Sequence, residues 1–370
     1  MSTWICKLDE AAPTPGAVRV AVKDAIDVVG APTTAGCPQV AATALPAAAD
    51  AACLSGFRAA GAHLVGKANL HELCFGISGA NAWSGTPVNP FDPTRIPGGS
   101  SSGSAVALAN GEVDVALGTD TGGSVRLPAA CCGIVGLKTT IGRISTAGVW
   151  PVSASLDTVG PMARDVAGVV AGMALLEPGF AAAATPGLTI GRVRRPGVDP
   201  AIEAAIDAAL AAAELTVIDV ELPGWDATDD TFRDLILGEM YRAVGHLLAH
   251  DELSSFPKAG MIYGSIVTDE RLAAAKVEQA IWQAQMAAIF ERVEVLALPV
   301  MPVETPTFDE VNDLPMTDLT APINVAGNPG LSIPLRVPGR RLPTGLQLVG
   351  PHDGEAILCA TGAVVEAATA

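Results

Sequence analysis

A chain of 370 residues that is 49% hydrophobic can bury a sizeable core, and by length alone it would accommodate two domains. A formal net charge of −17, with no basic cluster to offset it, excludes nucleic-acid phosphate or an anionic membrane surface as the main partner. Seven irregularly spaced cysteines without a CxxC pair suit a reduced compartment rather than a disulfide framework.

The N-terminal MSTWICKLDE lacks the apolar centre of a signal peptide, and no uninterrupted apolar run reaches spanning length, so the expected location is the cytoplasm. In VRVAVKD at 18–24, Val18, Val20 and Val22 alternate with smaller residues, which predicts a strand delivering Lys23 into the interior. Further apolar runs predict strands at 62–65, 114–117, 188–193, 215–220 and 293–298. Glycine-rich PGGSSSGSA at 97–105 precedes GTDTGGSVR at 118–126, and a helix-like stretch follows Pro128. An alanine run between prolines marks 177–187 as a linker. Asp199 caps a helix with Pro200 at its first position and Ile202, Ile206, Leu210 and Ala213 along one stripe. A longer helix is predicted over 269–292, and the alternation of strands with helices means an α/β fold.

The chemistry concentrates in three of these segments. A serine hydroxyl needs a base to take its proton and donors to hold the oxyanion that follows. Gly122 and Gly123, lacking Cβ atoms, let the backbone turn sharply and aim N–H groups at one point just before Ser124, the candidate nucleophile. None of the five histidines lies in a glycine-rich turn, whereas Lys23 sits in an apolar run. Burial strips an ammonium of hydration, and lowering its pKa by about three pH units, about 4 kcal/mol, would make it a useful base. The residue pattern alone equally allows Lys23 to snorkel or to pair with Asp24 or Asp27. His246 and His250 stand four apart but lack the Glu of HExxH and a third ligand, and no GK[ST] follows the GGSSSGS run; neither a metal nor a nucleotide cofactor is implied.

Taken in order, VRVAVKD, PGGSSSGSA and GTDTGGSVR resemble the amidase signature family of Ser, cis-Ser, Lys amidohydrolases. GAHLVGKANLHE at 61–72, CGIVGLK at 132–138, SLDTVGPMAR at 155–164 and TGLQLVGP at 344–351 extend the resemblance over nearly the whole chain from about Val18. The resemblance implies a mixed central sheet covered on both faces by helices, folded as a single domain over 1–370. The N-terminal helical region of relatives would be largely absent. It implies Lys23, Ser100 and Ser124 as the catalytic set, with a cis peptide at Ser100, and Thr121, Gly122 and Gly123 with Ser124 as oxyanion donors. Asp120 and Arg126 would brace the nucleophile turn, and Ser101 would hydrogen-bond within the relay. GISGAN at 76–81 matches a loop lining the acyl pocket, so Ile77, Ser78 and Gly79 are candidate substrate contacts. Ser102 stands where many relatives have glycine, in a segment that looks similar to indole-3-acetamide hydrolases, which also read SSSGSAVA.

The expected activity is hydrolysis of a small carboxamide, a primary amide or an aryl or arylacetyl amide, by a stand-alone enzyme with no cofactor. The alternatives are a catalytically silent amidase-like binding protein, an amidotransferase A-type subunit, and an esterase using one of the histidines. A small-molecule amide is the expected partner, without nucleic acid or membrane, and a homodimer is allowed. With 4% aromatic residues, few rings are at hand for an aryl substrate; Phe75, Trp83 and Trp150 lie nearest the motifs. Cys74 and Cys132 read as small core residues.

Overall fold

The structure, a computed structural model, describes residues 3–9, 14–250 and 252–370. Its strands are β1 (Trp4–Lys7), β2 (Arg19–Lys23), β3 (His63–Ala68), β4 (Val115–Asp120), β5 (Val135–Lys138), β6 (Thr158–Ala163), β7 (Thr189–Val193), β8 (Thr216–Val220), β9 (Val295–Pro299), β10 (Gly330–Arg336) and β11 (Pro343–Val349). All join one sheet in the order β1-β3-β2-β4-β6-β5-β10-β11-β9-β7-β8. β2 runs parallel to β3 and β4, and β7 parallel to β8 and β9, while β6, β5, β10 and β11 make the antiparallel middle. The α/β class and the mixed, helix-flanked sheet are as expected.

Two-residue periodicity explains how both faces are covered. Val20, Val22, Val115 and Leu117 point into one core with Val169 and Met173 of helix Val166–Leu176, Ile202 and Ile206 of helix Pro200–Ala212, and Leu358 of helix Glu355–Thr369. Ala21 and Ala116 point the other way, against Val106 of helix Ser102–Ala109 and Ala129 of helix Arg126–Cys132. Small residues on that face let the two site-bearing helices pack close to the strands. Lys23 shares parity with Ala21, so it leaves β2 toward them.

Elements differ from the sequence reading where tertiary pairing sets the boundary. The helix after the serine turn starts at Arg126, so Pro128 falls in its first turn, where a missing N–H costs nothing. The long helix spans Asp269–Ile289 with Thr268 accepting from Arg271 N–H at its N-terminus. His246 sits in a 3-10 segment, Gly245–Ala249, and His250 just beyond it, so no α-helical face pairs them. Among the described residues no helix is long and apolar enough to cross a membrane, and no group of three His, Cys, Asp or Glu could hold a metal.

Candidate active site

The site lies at the C-terminal ends of the parallel strands β2 and β4, where open α/β sheets characteristically present their loops to ligand. Lys23 ends β2 with no exposure at all. Its neighbour Asp24 is engaged elsewhere, with Lys67 at 3.0 Å, both side chains fully buried, and with the Thr34 hydroxyl. Lys23 Nζ is thereby left to Ser100 Oγ and Thr119 Oγ1, each at 2.7 Å. Burial pushes the lysine pKa below its ordinary value, against the pull of the Cys74 thiol and the Asp120 and Asp157 carboxylates. Cys74 is itself buried and held above its usual range by desolvation.

Ser100 is fully buried, and the Gly99–Ser100 peptide is cis, as the resemblance implied. Its carbonyl accepts from His71 N–H at 3.0 Å, and Ser101 N–H donates to the Ser124 carbonyl at 3.2 Å, which ties the two serine loops together. Ser101 Oγ donates to the Thr119 carbonyl at 3.3 Å. Ser102 opens helix Ser102–Ala109 and its Cβ occupies space that a side chain at Gly79 would need, at 2.6 Å. Glycine at 79, with φ +75°, therefore accommodates serine at 102.

Ser124 is 7% exposed, and its hydroxyl makes no hydrogen bond among the described residues; none joins it to Ser100 Oγ. The turn before it is anchored by Asp120, which accepts from Gly123 N–H at 2.8 Å and Val125 N–H at 3.1 Å. Gly123 N–H thus donates to Asp120, while those of Thr121, Gly122 and Ser124 have no acceptor among the described residues. Gly123, at φ +127°, would put a Cβ 2.5 Å from Thr320 Oγ1, so only glycine fits. Burial pulls the Asp120 carboxyl upward, but Arg126, 2.8 Å away and equally buried, holds it well below the usual carboxylate range, helped by Lys138 and Asn324. Arg126 also reaches Gln347 Oε1 at 2.6 Å and the Thr320 carbonyl at 3.2 Å.

A cavity of about 380 Å³ opens over Ser124, Thr121 and Gly122. Its walls are Phe75, Ile77, Phe232, Ile236, Leu237 and Phe256, with Phe75 and Phe256 stacked at 5.2 Å. Of the three candidate substrate contacts only Ile77 lines it. Ser78 Oγ faces His71 Nδ1 at 3.3 Å, and Gly79 packs under the Ser100 loop. Trp83 and Trp150 do not line it either. Sequence reasoning missed the wall supplied by helix Thr228–Val244, and it missed Asp157. That half-buried carboxylate accepts from Thr121 Oγ1 at 2.6 Å and from Val152 and Ser153 N–H, both at 2.9 Å; desolvation pushes its pKa up to about 6. Its place in SLDTVGPMAR was the available signal.

A helix-flanked mixed sheet with a serine turn and a buried lysine at its strand ends defines an α/β amidohydrolase. The family model described as Amidase matches residues 15–178 and 179–359, and the chain belongs to this amidase signature family of amide-cleaving enzymes. It is 36% identical over 404 aligned positions to the A-type subunit of the glutamyl-tRNA(Gln) amidotransferase from Halobacterium salinarum, covering 94% of each. It is 35% identical over 377 positions to the 2-amino-5-chloromuconic acid deaminase of Comamonas testosteroni, covering 94% of this chain and 80% of that one. A crystal structure of an amidase superposes with a TM-score of 0.87 at 30% identity, over 95% of this chain and 85% of the other.

Proposed function

We propose that this protein hydrolyses a small carboxamide with an apolar acyl part, through an acyl-enzyme on Ser124. The observation that carries the reading is the fully buried Lys23 amine, 2.7 Å from Ser100 Oγ and with its pKa lowered by burial. Neutral Lys23 takes the Ser100 hydroxyl proton as Ser100 takes that of Ser124, and Ser124 Oγ attacks the amide carbon. The Ser100 to Ser124 contact closes when substrate fills the cavity, since catalytic hydrogen bonds commonly tighten only in the complex. The free N–H groups of Thr121, Gly122 and Ser124 receive the oxyanion, each donor worth about 3–4 kcal/mol of barrier. Ser100 returns a proton to the departing nitrogen as the C–N bond breaks, and water then splits the ester to acid and free Ser124.

The cavity walls support an aryl or alkyl body on the acyl side, because rings and branched side chains offer area but few hydrogen bonds. A second reading, an amidotransferase A-type subunit, is favoured by the similarity to the Halobacterium salinarum protein. The experiment is turnover of L-glutamine and of a panel of primary amides and anilides, with hydroxylamine added to trap the acyl group as a hydroxamate. We expect hydroxamate and ammonia from apolar amides, lost in Ser124→Ala. Turnover surviving Ser124→Ala overturns the assignment, and activity confined to glutamine selects the second reading.

A further inference from the structure

Resting on the Ser124 reading and going beyond its relay, we propose that Asp157 is a positioning residue for the oxyanion turn: by holding the Thr121 hydroxyl it keeps the Thr121 N–H aimed where the oxyanion forms. The turn needs such a tether. Its ladder to β6 ends at Asp120 and Thr158, and the residues that follow, Thr121, Gly122 and Gly123, include two with the freest of backbones. Asp120 secures the downstream half by accepting from the N–H groups of Gly123, Val125 and Arg126, and Thr320 Oγ1 donates to the Gly122 carbonyl at 2.7 Å. Thr121 is buried, and among the described residues its one hydrogen bond runs from its hydroxyl to Asp157 Oδ1 at 2.6 Å.

Asp157 is itself anchored, so it holds Thr121 in place instead of following it. Its Oδ2 accepts from Val152 and Ser153 N–H, its own N–H donates to the Ser153 carbonyl at 2.8 Å, and Thr158 beside it is paired into the sheet. Glu239, on the helix that walls the cavity, clamps the same loop by accepting from Ser153 Oγ at 2.7 Å, Ser155 N–H at 2.9 Å and Ser155 Oγ at 2.6 Å. Both Asp157 oxygens are thus spent on a hydroxyl and two amides rather than on a cation. With a pKa of about 6 the carboxylate is ionised at neutral pH, and a hydroxyl donating to an ionised carboxylate at this distance makes one of the stronger hydrogen bonds a side chain can form. Donors fixed in advance stabilise an oxyanion better than donors that must be oriented during the reaction. Asp157 therefore acts on the barrier through Thr121, without touching substrate.

The test is the second-order rate at which an alkyl fluorophosphonate forms its adduct on Ser124, followed by intact mass in variants whose folding is checked by circular dichroism and denaturant titration. Thr121→Val keeps the N–H and the side-chain shape but removes the hydroxyl, and should slow labelling at least about tenfold, whereas Thr121→Ser restores the hydroxyl and should stay within about threefold of wild type. Asp157→Asn should slow labelling to a similar degree as Thr121→Val. The double variant Asp157→Asn/Thr121→Val should be no slower than the slower single variant, because both remove the same contact. A structural role alone would lower stability and leave the rate per folded molecule at the wild-type value. That result, losses that multiply in the double variant, or a Thr121→Ser variant as slow as Thr121→Val overturns the positioning role while leaving Ser124 as nucleophile; should Asp157→Asn not fold, the two Thr121 variants decide. Folded wild-type protein that the probe does not label at Ser124 overturns the underlying reading instead.

Discussion

Lys23 is the residue on which the proposed chemistry turns, and its surroundings among the described residues are two hydroxyls and no free carboxylate within hydrogen-bond reach. Its amine hydrogen-bonds the hydroxyls of Ser100 and Thr119, while the nearest carboxylate in sequence is taken by Lys67. In the proposed relay neutral Lys23 is the base, so kcat/KM for a hydrolysed amide should rise with pH through a midpoint below the 10.5 of an ordinary lysine and then level off. A profile that climbs only near 10.5 contradicts the buried-base assignment. Lys23→Arg should lose at least about a thousandfold in kcat, because a guanidinium keeps its proton at any working pH. The residue pattern alone offered Ser124 in its glycine-rich turn and a lysine in an apolar run, whereas Ser100 and the choice of Lys23 as base came through the family resemblance, because no local pattern shows which side chains meet across separate segments. Capture of Gly123 N–H by Asp120 was not legible, since it depends on which side of the turn the carboxylate faces.

At the scale of elements, the turn between β4 and helix Arg126–Cys132 is held by one buried ion pair that also fixes three backbone N–H groups. Removing one partner leaves the other charge buried and unpaired, so Arg126→Ala should destabilise the fold by about 3–5 kcal/mol in a denaturant titration. Gly123→Ala, by contrast, should act chiefly on the turn: the added Cβ meets Thr320 and Leu127, and acylation should fall by at least about tenfold in protein whose circular dichroism is native. Unaltered acylation there would mean that the turn is not the donor site. The helix Thr228–Val244 that walls the cavity escaped the sequence reading for a physical reason. Its buried face carries Thr228, Thr231 and Gly238 among Leu235, Met240 and Val244, so the apolar stripe that announces a core-facing helix is interrupted.

Across the whole molecule, β5, β6, β10 and β11 build the antiparallel middle of the sheet, and none of them stood out as an isolated strand. β6 and β11 are buried at every position, which erases the alternation by which a half-exposed strand is recognised. The same burial takes in Lys138 at the end of β5, whose amine donates to the Thr139 and Asn328 carbonyls. Burial, with Arg126 nearby, lowers its pKa to about 7. The unfolded chain therefore binds a proton that the folded chain does not between about pH 7 and 10.5, and stability rises with pH through that window. Lys138→Met should reduce that slope by up to about 1.4 kcal/mol per pH unit in denaturant titrations run between those limits. An identical slope in the variant would show that the amine stays charged in the fold.

The central claim is a nucleophile at Ser124 driven by Lys23, and intact-mass kinetics of fluorophosphonate labelling reach it most directly. Wild-type protein should gain one adduct, mapped to Ser124 and lost in Ser124→Ala, with Lys23→Ala slowed by about a thousandfold and each single histidine variant labelling at the wild-type rate. An adduct on another residue, or wild-type labelling in Lys23→Ala, would contradict it.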